Sequence, residues 1–298
     1  MSLLVRRSNL LVSMSDAAAV TNAWKHNADA ITLVLGSDEG VRNGVKAAMA
    51  QAAKGGAEVF VRVNKASMQA ELAATVWPGL CGIMLSCVES AAEVALADEV
   101  ITAVEKQRGI AAGSLQFILM LESARGVWDI RSIIKASSRV TQAALDERAL
   151  AADLGISPLP ELDPFDYARG RLAVEATAAK VAAVGMAYPL SVWPRELPEA
   201  QLHELATKAR NLGMKGVICP YASWVAPVNV AFTPTPELVE WNRRVREAFA
   251  AGVAAGTAAV PLDGKMIDVP VDEWAIVVLA MAEACAARDA QKRAALNR

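Results

Sequence analysis

Little in this sequence could build a soft metal centre or a nucleotide cradle. Among 298 residues there are two histidines and four cysteines. Cys81, Cys87, Cys219 and Cys285 lack zinc-type spacing. They read as reduced thiols of a cytoplasmic chain, mostly small core residues. His26 and His203 fall in polar, helical stretches and read as surface side chains rather than ligands. Neither G-x-G-x-x-G nor G-x-x-x-x-G-K-[ST] occurs, which removes support for a mononucleotide fold. No apolar run is long enough to span a bilayer and no secretory leader is visible, so a membrane partner is not expected. A net charge of −2 gives no reason to expect a nucleic-acid partner. Internal repeats and low-complexity segments are also missing.

Apolar residues make up 54% of the chain, enough for a substantial core. Short strand-like runs alternate with Ala-rich helical runs. The strands are expected at Leu10–Ser13, Ala30–Leu35, Glu58–Val63, Gly82–Leu85, Phe117–Leu121, Val140–Leu145, Ala187–Val192 and Gly216–Cys219. Between them, Asp16–His26, Val41–Lys54, Gln69–Thr75, Ser90–Arg108, Val127–Ala136, Asp163–Ala183 and Glu199–Leu212 read as helices. This alternation predicts an α/β fold of the (β/α)8 TIM-barrel type over residues 1–232. Residues 233–298 read as a helical and extended appendage, a lid or oligomerisation extension. It has helices at Pro234–Gly252 and Val271–Arg288 around a Gly/Pro-containing excursion, Ala259–Pro270.

The run Leu115–Leu121 is apolar on both faces and ends in a carboxylate, Glu122. At the C-terminal end of a barrel strand that carboxylate faces the active site; as a helix N-terminal charge it would serve the dipole instead. Glu122 with Arg125 forms a candidate pair. Arg62, at the end of the third strand, suits bidentate carboxylate binding. Arg7 suits a phosphate, although adjacent Arg6 also allows a plain basic surface. Cys219, at the eighth strand end, reads as a buried small residue. Trp24, Trp128 and Trp241 read as packing residues.

Several segments, in order, carry a family resemblance. They are Arg7-Ser8, Val61-Arg62-Val63-Asn64, Val88-Glu89-Ser90, Leu121-Glu122-Ser123-Ala124-Arg125-Gly126, Ala151-Ala152-Asp153-Leu154-Gly155, Tyr167-Ala168-Arg169, Asn229 to Pro234 and Asp263 to Pro270. Together the chain resembles the citrate lyase beta subunit-like family of the HpcH/HpaI aldolase superfamily, which includes malyl-CoA and citramalyl-CoA lyases. The resemblance implies a carbon–carbon lyase or aldolase. Its substrate would be a 3-hydroxyacyl-CoA or related 2-oxo-acid-derived molecule, with CoA as part of the substrate. It implies Mg2+ held by Glu122, a substrate carboxylate on Arg62, a CoA contact at Arg7, and Asp268 reaching a neighbour's site. It also implies a homotrimer or hexamer, or a hetero-oligomer with a homologue.

The sequence departs from the family where the chemistry lies. The second metal-ligand position is Ala149, preceded by Arg148. Two further family acids become Gly36 and Ser37, with Asp38 and Glu39 just beyond. The family's Lys is Cys87 and its His is Cys219. Asp146 or Glu147 would have to replace the lost ligand. The alternative reading is therefore a catalytically impaired pseudo-subunit, or a regulatory barrel that pairs with an active homologue.

Overall fold

The computed structural model describes residues 4–35, 44–157, 159, 162–186 and 197–297. Two compact units divide it: Arg6–Phe232 with the last residues from Ala295, and Thr233–Ala294 with the first residues up to Val5.

Eight parallel strands form the first unit. They are β1 (Ser8–Ser13), β2 (Ala30–Val34), β3 (Glu58–Asn64), β4 (Gly82–Ser86), β5 (Gln116–Leu121), β6 (Val140–Leu145), β7 (Ala182–Val184) and β8 (Val217–Cys219). Their order, β7-β6-β5-β4-β3-β2-β1-β8, places β1 between β2 and β8. The ring is drawn shut at the last seam: Lys215 N–H donates to Ala183 O at 2.8 Å and Gly185 N–H to Gly216 O at 3.0 Å. Helices α1 (Ala17–Asn22), α2 (Val45–Ala52), α3 (Met68–Thr75), α4 (Ala91–Arg108), α5 (Ala124–Trp128), α6 (Ile130–Ile134), α7 (Glu147–Asp153), α8 (Asp166–Ala178), α9 (Glu199–Asn211) and α10 (Val225–Ala231) alternate with the strands. This is the (β/α)8 architecture that the alternation predicted.

Strand residues of opposite parity serve two cores. Val59, Val61, Ile83, Leu85, Phe117, Leu119 and Ala143 point outward and pack with the helices. Phe60, Met84, Ile118, Met120, Ala144, Val184 and Ile218 fill the lumen. The period of two that fixes this alternation also decides which strand-end residues face the mouth.

Arg6 closes the lumen's N-terminal end. It is ion-paired with Glu58, donates to Gln116 Oε1 at 2.5 Å and to Thr141 Oγ1 at 3.1 Å, and lies over the Phe60 ring. A second buried arginine, Arg139, ties α4 to the start of β6. It bonds Asp98, Glu105, Thr102 and the Leu115 carbonyl. Burial alone would raise the Glu105 and Asp98 carboxyls. Hydrogen bonds outweigh it and hold both below their ordinary values: Arg139 with the Leu115 and Gly113 N–H groups for Glu105, and Ser137 with Arg139 for Asp98. Depressed carboxylates stabilise the fold above their unfolded pKa and lose that contribution as pH falls through the folded one. Arg139→Gln is therefore expected to cost stability fully at neutral pH. Its deficit relative to the parent should shrink below about pH 4 in denaturant melts. A deficit independent of pH would refute the assignment.

Some boundaries differ from the sequence reading. The seventh strand among the described residues is Ala182–Val184, and the expected strand Ala187–Val192 lies outside the described residues. Helix α8 ends at Ala178, and Lys180 takes a left-handed φ of 59°. Nothing in the Ala-rich run 176–183 marks that stop, because the residue in the glycine-favouring conformation is a lysine. The expected helix 127–136 is two short helices broken at Asp129, and α7 and α10 were not anticipated.

In the second unit, α11 (Pro236–Ala254) leads to a hairpin of β9 (Val260–Leu262) and β10 (Lys265–Ile267), then to α12 (Val269–Leu296). Asp263 and Gly264 both have positive φ, 48° and 75°, as a two-residue turn of matching twist requires. Val245, Ile267 and Ala275 form this unit's own small core, with Trp241 packed against them. No helix among the described residues is long and apolar enough to cross a membrane.

Candidate active site at the C-terminal mouth

Glu122 and Asp146 are each the first residue past their strands, β5 and β6. Counting in twos from the lumen residues Met120 and Ala144 brings both carboxylates inward. Arg62 follows Phe60 in the same way, and Ser86 follows Met84. The four side chains meet. Arg62 Nη2 donates to Glu122 Oε1 at 2.9 Å and to Asp146 Oδ2 at 3.4 Å, while Arg62 Nε donates to Ser86 Oγ at 2.6 Å. Three are partly exposed, with side-chain exposures of 25% for Arg62, 12% for Glu122 and 26% for Asp146, and Ser86 is buried.

Cys87, the first residue past β4, completes the grip on Glu122. Its N–H donates to Oε1 at 3.1 Å and its thiol to Oε2 at 3.2 Å. The residue takes a φ of 60°, which folds the chain back over the carboxylate. Burial pushes the Cys87 thiol up to about 11, and the Glu122 carboxylate adds to the shift. The thiol stays protonated at neutral pH and acts as a donor rather than a nucleophile. Counting from strand ends would have found it; weighing it as a lost lysine did not.

A second polar group borders the first. Lys65 Nζ lies 2.8 Å from Glu89 and 2.9 Å from Glu93, and Ser123 Oγ donates to Glu89 at 2.8 Å. The hydrogen bonds from Lys65 and Ser123 hold the Glu89 carboxyl below its usual value. Gly126 fixes how closely α5 approaches this loop: a Cβ there would lie 2.7 Å from the Val88 carbonyl oxygen. Gly126→Ala must push back the backbone beside Cys87. A loss of about 1–3 kcal/mol in denaturant titration is expected, and an unchanged midpoint would refute the contact.

Several expected site residues lie elsewhere. Arg125 does not pair with Glu122; its side chain is 72% exposed and pairs with Asp129. Arg7 precedes β1, at the opposite end of the strands. It is buried and bound to Asp29 through Nε at 2.8 Å and Nη2 at 3.0 Å. That placement speaks against a CoA contact at Arg7, and the burial of both Arg6 and Arg7 against a plain basic surface. Asp268 lies exposed in the second unit at the start of α12, where its Oδ1 accepts the Val271 N–H at 3.2 Å. Ala149 sits in the first turn of α7 and Arg148 is exposed. Glu147 turns inward to Arg169 at 2.6 Å. Asp38 and Glu39 are outside the described residues. Cys219 is buried, as expected, and burial pushes its thiol up. Trp128 is not a packing residue: it is 70% exposed. It borders an apolar cleft of about 240 Å³ with Leu150, Phe165 and Tyr167, which includes none of the mouth carboxylates.

The donor set suits a divalent cation. Two carboxylates converge on one point, and a guanidinium nitrogen, a stand-in cation, already sits there. Mg2+ accepts one or two carboxylates and fills its remaining positions with water and substrate. Among the described residues no cluster of three His, Cys, Asp or Glu forms. The residues present thus fit a two-carboxylate Mg2+ site and not a closed structural one.

The chain is 29% identical over 288 residues to citrate lyase subunit beta of Haemophilus influenzae, covering 94% of this chain and 97% of that protein. It is 26% identical over 218 residues to L-malyl-CoA/beta-methylmalyl-CoA lyase of Cereibacter sphaeroides, 67% of each chain. Its fold matches CitE of Mycobacterium tuberculosis, solved in complex with magnesium, acetoacetate and coenzyme A. That match has a TM-score of 0.67 at 23% identity over 94% of this chain and 98% of that one. The model of the HpcH/HpaI aldolase/citrate lyase family matches residues 7–220, and the chain belongs to that family.

Proposed function

We propose that the protein is a carbon–carbon lyase that cleaves, or forms, a 3-hydroxyacyl-CoA or a related 2-oxo-acid-derived substrate. The observation that carries this reading is the convergence of Glu122 and Asp146 on Arg62 at the strand C-termini. A catalytically impaired subunit would be expected to leave Glu122 without a second acid. Asp146 beside it favours the active reading, even though the family position is Ala149.

Glu122 and Asp146 would hold Mg2+. When bound, the ion polarises the oxo-acid carbonyl and stabilises the negative charge that develops on bond cleavage. Arg62 binds the substrate carboxylate, for which its planar fork is suited. Ser86 aims that fork through Nε, and Cys87 fixes the Glu122 carboxylate through its N–H and thiol. Preorganised donors of this kind spare reorganisation during reaction. Asp268 is assigned to the active site of a neighbouring copy, in a homotrimer, a hexamer or a hetero-oligomer with a homologue. The CoA portion is assigned to the substrate, and the sparse, scattered cysteines fit a reducing cytoplasm.

The test is a panel of malyl-CoA and citramalyl-CoA type thioesters, with release of the oxo acid followed in Mg2+ and in chelator. Metal-dependent release supports the reading. No release from any member of the panel, by the chain alone or with a homologous subunit, would sink it.

A further inference from the structure

The structure assigns Arg62 a second duty as the exchangeable counterion of the metal site. It holds the place of the cation between Glu122 and Asp146 until Mg2+ takes the two carboxylates, and the released guanidinium then binds the substrate's carboxylate. This inference rests on the metal reading given above and concerns how the site fills.

Three observations carry it. First, one nitrogen, Nη2, bonds both carboxylates, at 2.9 and 3.4 Å. Two partly buried carboxylates facing one point repel unless a cation lies between them. Second, Arg62 is tethered from a different atom, Nε, to Ser86 at 2.6 Å. The guanidinium can therefore leave the carboxylates and stay at the mouth. Its Nη1 makes no hydrogen bond among the described residues, so one donor edge is already open to a ligand. Third, the charges close only when both ligands are present. Two carboxylates and one guanidinium sum to −1. Mg2+ alone brings the cluster to +1, a monoanionic oxo acid alone to −2, and both together to neutrality. At partly desolvated positions, uncompensated charge is costly. Each ligand should therefore strengthen the other's binding, by the same factor in both directions.

The experiment is calorimetric titration of the full chain with MgCl2, with and without pyruvate or glyoxylate, for the parent, Arg62→Gln and Arg62→Lys. The parent should bind Mg2+ about fivefold or more tightly in the presence of the oxo acid, within the usual span of such couplings. Arg62→Gln should bind Mg2+ alone about tenfold more tightly than the parent, with the coupling reduced to less than about twofold. Arg62→Lys keeps the charge, so its Mg2+ affinity should stay near the parent's, while the coupling weakens without the bidentate fork. A thermal melt of each variant separates loss of fold from loss of exchange. Unchanged or weaker Mg2+ binding by a folded Arg62→Gln, or coupling that survives in it, overturns the exchange. Mg2+ binding to the parent without coupling also overturns the exchange but leaves the metal site standing. No Mg2+ binding by the parent under either condition overturns the metal site and the exchange together.

Discussion

Glu122→Gln is expected to lower kcat/KM by about 10^2–10^3-fold, the usual loss when one preorganised electrostatic group is removed from an active site. The substitution keeps the shape of the side chain and removes its charge. The amide oxygen can still accept from the Cys87 N–H, and Arg62 still has Asp146 and Ser86. Folding should therefore survive, with a stability change of about 1 kcal/mol or less. The loss should fall on the metal site, so Mg2+ affinity should drop with activity. Steady-state kinetics on the thioester panel, a Mg2+ titration and a melt together make the check. Parental kcat/KM in Glu122→Gln would remove Glu122 from the chemistry.

Arg169→Met should produce the largest stability loss among the ion-pair variants, about 3–5 kcal/mol. Arg169 is 2% exposed. It bonds Glu147, itself 4% exposed, at 2.6 Å and also pairs with Asp163. Its Nη2 has no hydrogen-bond partner among the described residues, so the buried pair is not in itself a large source of stability. The cost arises on breaking it, because Glu147 is left charged in a buried position. For a chain of this size the melting temperature should fall on the order of 10 °C. Arg169→Lys should rescue little, since one ammonium cannot reproduce two separate guanidinium contacts. Arg131→Gln makes the contrast. Arg131 forms a bidentate pair with Glu175, but its side chain is 76% exposed and the pair is screened by solvent, so the melting temperature should hardly change. Equal melting temperatures for Arg169→Met and Arg131→Gln would refute this account. Glu147 opens α7 directly after Asp146, so Arg169→Met should also disturb the mouth without touching it.

The strand–helix alternation was readable because parallel strands buried on both faces appear as short apolar runs. Glu122 stood out because it ends such a run abruptly. Its partner was misread. Arg125, three residues on, is nearer in sequence, but the helix that begins after Glu122 turns it to solvent. Arg62 lies 60 positions away and is brought in by the register of β3, β4 and β5. Asp146 shows the same rule from the other side. Aligned by motif, Ala149 looks like the vacated ligand position. Counted in twos from Ala144, Asp146 is the residue that enters the lumen. The polar end formed by Arg6, Glu58 and Gln116 was not readable, because an arginine pair near the first strand resembles a basic surface until the partners are known. The boundary between α8 and β7 was hidden in a run of alanines that suits either state.

The position of β1 between β2 and β8 also constrains how the chain is made. Residue 8 pairs with residue 217, while its other neighbour, β2, is only about 20 residues away. During synthesis, seven strands can zip in order as they emerge, but the open edge of β1 must wait about 30 residues beyond β7 for its second partner. At about 5–20 residues per second this wait lasts roughly 2–7 s. For that time an apolar lumen and two bare strand edges face the crowded cell, the condition in which edge-to-edge association competes with folding. The nascent chain should therefore depend on chaperones most strongly just before the final strand appears.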